Sequence, residues 1–140
     1  MHSNVGGFDP WGSLRSLEHV RLSWVDMPDG ARGRTNGTDL IWLNRGQQQV
    51  ERRCALTHEL VHLERRDIGC QPATVEAIVN AETARRLIHL DHLAKALAWA
   101  RAFHELADEL WVTPDVLQDR IDHLTEDEWD ILLSVELQQP

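Results

Sequence analysis

ERRCALTHELVHLERR, residues 51–66, is the stretch on which the reading of this chain turns. Its apolar positions Cys54, Leu56, Leu60, Val61 and Leu63 continue a helical period begun at Val50, so the spacing predicts a helix over residues 47–66. Within it, His58 and His62 stand four residues apart and point the same way. Glu59 follows the first histidine. Two imidazoles on one helical face with a carboxylate beside them suit a zinc ion and a general base.

Zinc at a catalytic centre takes three protein ligands and leaves the fourth position to water, so the two histidines need a partner from elsewhere. The chain reverses at Gly69–Pro72, and a second helix is expected over residues 73–88. It carries Glu76 and Glu82, which lie about 240° apart around a helix and cannot share one metal. Glu76 is the preferred third ligand because Asn80 lies one turn on along the same face, where it could hold the far nitrogen of a ligand histidine. Glu82 stays as the alternative. In such a site Glu59, which must not itself bind the metal, takes a proton from water acidified by Zn²⁺ and passes it to the leaving amine.

Upstream of this helix the pattern is that of strands. Residues 19–25 alternate in polarity, and DLIWL at 39–43 is short and rich in strand formers. Three glycines, a proline and an Asn-Gly pair between them require at least one turn, with room for a short extra strand. Trp42 is expected on an edge strand along which an extended substrate could pair. Asn44 and Gln47 are read as a capping signal for the metal helix, and Gly69 as the cap near its end. Downstream, helices are expected over 90–111, 114–124 (opened by Pro114) and 126–137, the last opened by Thr125 and Glu128 at capping-box spacing. Strands before helices, without alternation, give an α+β class.

The 140 residues, 42% hydrophobic, are expected to form one domain over 1–140: a loose N-terminus (1–12), a sheet region (13–45), metal-site helices (46–89) and C-terminal helices (90–140). No apolar run reaches membrane-spanning length and no secretory leader is visible, so the expected location is the cytoplasm. Cys54 and Cys70 form no CxxC pair and are read as a buried small side chain and a loop thiol. Fourteen basic against 23 acidic residues leave a net charge of -9, which repels phosphate backbones. That argues against non-specific nucleic-acid binding and favours a protein or peptide partner. The tail over 106–124 has the rhythm of a helix-turn-helix, yet its second helix offers Arg120 against Asp115, Asp119 and Asp122, the wrong sign for reading DNA. His89 and His92 are read as surface or junction residues, as are His104 and His123. The six tryptophans are expected mostly in cores and helix junctions. Tyrosine is absent from the chain, so no phenol can assist at an oxyanion.

Together, DLIWL, ERRCALTHELVHLE, EAIVNAETARRLI (76–88) and ADELWVTPDVLQDRIDHL (107–124) resemble the ImmA/IrrE family of zincin-like metallopeptidases, over roughly residues 38–124. The resemblance implies a zincin-like fold, with a small N-terminal sheet packed on the HExxH helix and an all-helical C-terminal half that ends in a helix-turn-helix-like tail. It implies His58 and His62 as zinc ligands, Glu59 as the base, and Glu76 as the third ligand. Glu76–Asn80 matches the ends of the family's E-x-x-A-[ND] segment, with Val79 in place of a small residue. Glu82 and Leu87-Ile88-His89 depart from the family's phenylalanine and closing Leu-Met-Pro, which keeps Glu82 as an alternative ligand. Relatives cleave or inactivate helix-turn-helix repressors of phages and other mobile elements, so a repressor is the implied protein substrate. A non-catalytic, metal-containing regulator that only binds its partner is the alternative.

Overall fold

The computed structural model describes residues 8–137 and is α+β, mostly helical, with seven helices and a three-stranded mixed sheet among those residues. In chain order these are α1 (Pro10–Ser16), β1 (Arg21–Val25), β2 (Gly33–Thr35), β3 (Leu40–Asn44), α2 (Gln49–Arg65), α3 (Ala73–Leu87), α4 (Leu90–Leu97), α5 (Phe103–Glu109), α6 (Pro114–Asp122) and α7 (Glu126–Leu137). The expectation of a loose terminus over 1–12 falls partly outside the described residues. From Phe8 onward the chain is docked: Phe8 N–H donates to the Arg86 carbonyl at 3.2 Å, Pro10 opens α1, and Trp11 stacks on Trp24 at 6.1 Å.

The sheet runs in the order β1-β3-β2, with β1 parallel and β2 antiparallel to β3. DLIWL therefore forms the middle strand, and the edges are β1 and the short β2, which corrects the expectation that Trp42 sits on an edge. Along β3 the pleat sends Ile41 and Leu43 to one face, both fully buried, and Trp42 to the other. Ile41 and Leu43 pack with Ala55, Leu56, Leu60 and Leu63 of α2 to form one hydrophobic core.

A second core lies on the other side of α2, where Cys54 meets Ala84 and Leu87 of α3 together with residues of α4–α7. Helix α2 thus stands between two cores. Ten of its seventeen residues are buried, among them Arg53, Thr57, Glu59 and His62. Each buried polar group on such a helix needs a partner. Thr57 Oγ1 donates to the Arg53 carbonyl at 2.9 Å, and Arg53 donates to the Trp111 carbonyl at 2.6 Å with its guanidinium over the indole.

The boundaries of α2 differ from expectation at both ends. Its capping carboxylate is Glu51, which accepts from Gln48 N–H at 3.0 Å. Asn44 and Gln47 instead donate to the carbonyls of Ala31 and Arg32, stapling the β1–β2 loop to the sheet. The helix stops at Arg65, with Arg66 rather than a glycine in the left-handed conformation (φ 60°). Gly69 (φ 70°) belongs to the loop beyond.

The single helix expected over 90–111 is two helices, α4 and α5. Leu93 and Ala96 of α4 and Leu106, Ala107 and Leu110 of α5 all enter the same core, which one straight rod could not achieve across the intervening turn. That turn carries Trp99 outward, 80% exposed, so this tryptophan and the 43% exposed Trp129 are not core anchors. Cys54 is buried and Cys70 exposed, both as free thiols. No helix among the described residues is long and apolar enough to cross a membrane.

Helix α7 opens as its sequence predicts: Glu128 N–H donates to Thr125 Oγ1 and Thr125 N–H to Glu128 Oε1, at 3.1 and 3.0 Å. The same glutamate receives buried Arg120 of α6 at 2.8 Å, while Arg120 Nε donates to the carbonyl of Ile88 at the end of α3. This clip ties three helices together, and the Arg120 hydrogen bond is the main reason the Glu128 carboxyl is held down at about 2. A folded-state value below the usual 4.5 means that the stabilisation is complete above that pH and is lost as the pH falls from 4.5 toward 2. Glu128→Gln should retain the cap but cost about 2 kcal/mol at neutral pH. Urea melts should show that difference shrinking between pH 4.5 and 2, the window set by the shift.

Candidate metal centre

His58 and His62 project from the same face of α2, with ring centroids 4.8 Å apart. Helix α3 packs against that face and brings up Glu76. Its Oε1 lies 2.6 Å from His62 Nε2 and 3.4 Å from His58 Nε2, and the three residues offer donor atoms within 4.8 Å of one another. Donors at the corners of a tetrahedron around zinc, with bonds of about 2.0–2.1 Å, stand about 3.3 Å apart. The His58–Glu76 spacing already has that value. The shorter His62–Glu76 contact is a hydrogen bond that would have to open by about 0.7 Å to admit the ion. Two imidazoles and one carboxylate are also the donor chemistry zinc prefers, so the residues fit the ion.

His62 is buried and its second ring nitrogen is also engaged: Nδ1 lies 2.9 Å from Asp67 Oδ2. Each nitrogen lies against a carboxylate oxygen, an environment that favours the protonated ring. Burial alone would lower the pKa of this ring, but the hydrogen bond to Asp67 and the charge of Glu76 outweigh it and raise the value. A metal at this point would take the place of the Nε2 proton, while Asp67 keeps the ring in the orientation that aims Nε2 at the ion. His58 behaves in the opposite way. Burial, and then the neighbouring His62, push its pKa down and hold it neutral, the form that binds metal.

Asp67 takes the role expected of Asn80. It reaches His62 because the left-handed Arg66 turns the chain sharply, so that Asp67 N–H donates to the His62 carbonyl at 3.1 Å and its carboxylate folds back onto the ring. Arg65 Nε braces that carboxylate at 3.0 Å. Gly37, with φ 76°, sits against the turn from the other side: a Cβ there would lie 2.3 Å from the Asp67 carbonyl oxygen. Asn80 makes no hydrogen bond to either imidazole among the described residues and lines the adjoining cavity instead. Glu82 points elsewhere, paired with Arg86 at 3.0 Å, and Arg86 in turn binds Glu64. The alternative third ligand is thus committed to an ion-pair network outside the cluster.

Glu59 is buried beside these groups without belonging to the donor cluster. Burial is the main reason its carboxyl is pushed up to about 7. It lies under β2, where a Cβ on Gly33 would come 3.0 Å from Glu59 Cγ, so a larger residue there would press on the Glu59 side chain. Two cavities flank it. One of about 500 Å³ runs between β2 and the loop after α2, along Arg34, Trp42, Asp67 and Ile68. The other, about 240 Å³, lies between Arg32 and α6. His58, Glu59 and Gly33 are common to both, so together the cavities form a cleft running past the candidate centre along the free edge of the sheet.

His89, His92, His104 and His123 line neither of these cavities. His89 and His92 stack in parallel at 5.4 Å near Asp91, His104 is exposed, and His123 is bonded to the Asp119 carbonyl. Among known proteins, no family model, no curated protein and no solved structure matches the chain.

If Asp67 orients His62, Asp67→Ala should weaken zinc binding about 10- to 100-fold, measured by competition with a chromogenic chelator, with little change in helix content. Gly37→Ala should act on the same turn from a distance. The strained φ and the clash with the Asp67 backbone should cost about 2–3 kcal/mol in a thermal melt and weaken zinc binding as well.

Proposed function

We propose that this chain is a zinc-dependent endopeptidase of the ImmA/IrrE, zincin-like type. The observation that carries this reading is the convergence of His58, His62 and Glu76 within ion-binding distance, with buried Glu59 beside them at the junction of two cavities. In this reading His58, His62 and Glu76 hold the zinc. When bound, the ion supplies Lewis acidity, acidifying water and stabilising negative charge that develops on a carbonyl oxygen. Glu59 takes the proton from the attacking water and delivers it to the departing amine. A carboxyl raised by burial suits both halves of that transfer, because it gives the proton up as readily as it takes it near neutral pH. Among the described residues Glu59 has no hydrogen-bond partner of its own that would compete for the water.

The substrate in this reading is a protein segment in extended form. The free edge of β2 can pair with such a segment, with Gly33 leaving its backbone close to Glu59. A helix-turn-helix repressor inside the cell is the substrate class that the family resemblance suggests. The negative charge of the chain, -9, favours a basic protein over nucleic acid.

Glu59→Gln separates cutting from binding. The variant should retain one zinc per chain by metal analysis and lose cleavage of a co-expressed repressor by at least about 100-fold, the scale of a removed general base. A regulator that works only by binding would retain its effect in this variant, and that outcome would overturn the peptidase reading.

A further inference from the structure

The smaller cavity beside His58 and Glu59 has features that the hydrolytic chemistry does not use. Its volume of about 240 Å³ is below the roughly 300–1,000 Å³ of a site for a whole small molecule, and so is sized for one side chain. Cys54 and Val116, both buried, supply apolar wall against which a long aliphatic stem can lie. The polar wall consists of Asn80 and Thr83 from α3 and Asp115 and Asp119 from α6.

Two of these groups lack a partner. Thr83 is 2% exposed and its hydroxyl oxygen has no hydrogen-bond partner, an uncommon state for a buried hydroxyl. Asp119 has no cation within ion-pair distance among the described residues, and burial together with the charge of Asp115 pushes its pKa up. An added positive charge would relieve both effects. At the rim, Arg32 from the β1–β2 loop reaches across to Asp115 at 2.9 Å. Its guanidinium shows that this wall accepts a cation, and a half-exposed pair of that kind is weak enough to be exchanged.

We propose that this cavity is the subsite that receives an arginine or lysine side chain of the substrate next to the bond to be cut, with the charge on Asp119 and Asp115 and a hydrogen bond to Thr83 Oγ1. The assignment rests on the peptidase reading for its position relative to the scissile bond, but the cation recognition does not depend on hydrolysis. Specificity follows from the chemistry of the wall. A neutral side chain of the same shape leaves Asp119 without a counter-charge, and a short one leaves Thr83 unpartnered.

Two blocked alanine hexapeptides, one carrying a single arginine and the other its neutral isostere citrulline, test the subsite by chemical-shift titration of the full-length, zinc-loaded Glu59→Gln chain. The arginine peptide should bind at least about tenfold more tightly, and Asp119→Asn should reduce that preference to about twofold or less. Thr83→Val preserves shape and removes only the hydroxyl. It should cut the preference by at least about threefold, whereas a merely structural threonine would alter the melting temperature and leave the ratio alone. Equal affinities for the two peptides, including no detectable binding of either, overturn the proposal. So does a preference that survives both substitutions. Hydrolysis of the same peptides by the unsubstituted chain reads out the peptidase assignment separately. An arginine preference lost in Asp119→Asn without any hydrolysis would uphold the subsite and sink the peptidase.

Discussion

The imidazole of His62 is held between two carboxylates, Asp67 on one nitrogen and Glu76 on the other, and the rest of the structure is arranged around that contact. A buried ring with two engaged nitrogens needs both acceptors delivered at hydrogen-bond distance. One comes from the turn that ends α2, the other from the helix that follows. The loop between them must therefore close tightly, and it does so at the cost of a left-handed arginine. Without an ion this contact is a charged hydrogen-bond chain, and with one it is a ligand and its orienting partner. The Asp67 contact is common to both states, whereas the His62–Glu76 contact would have to lengthen to admit the ion.

Helix α2 can carry this chemistry because it is packed on two sides. The sheet core fixes Leu56, Leu60 and Leu63, and the helical core fixes Cys54. Between the two, the His58–Glu59–His62 face is left opposite α3 and under the edge of the sheet, where neither core covers it. Burial of Glu59 is a by-product of that sandwich, and its raised pKa follows from the same lack of water. The C-terminal helices contribute indirectly. Helix α6 rests on α3 and is clipped by Arg120, and its acidic face looks into the cleft. Two of the charges that argue against DNA reading, Asp115 and Asp119, line the smaller cavity.

Much of the fold was legible in short-range pattern: the strand at 39–43, the capping box at Thr125 and Glu128, and the start of α6 at Pro114 are all local signals. The errors fall where long-range contact overrides local preference. Residues 90–111 have helical propensity throughout, yet the chain bends at Trp99 because apolar residues on both sides must reach one core. Asn44 and Gln47 have the chemistry of helix caps but are used to hold a loop from the preceding strand. Asp67 was missed because its role depends on a left-handed arginine that no propensity favours. An aspartate five residues past the second histidine, just where the helix must stop, is the signal that could have found it.

Spacing along one helix is enough to put His58 and His62 on a common face and Glu59 next to them, because an α-helix repeats every 3.6 residues whatever surrounds it. Composition is enough to make the chain acidic and to exclude a phenol from the site. Which glutamate completes the cluster is a matter of how α3 docks on α2. Packing of Val79, Ala84 and Leu87 turns Glu76 inward and leaves Glu82 to Arg86. The partner of His62, the glycines that let β2 and its turn approach, and the meeting of Arg32 with Asp115 across 83 residues likewise exist only in three dimensions. They join segments whose separation in the chain carries no information about their distance in space.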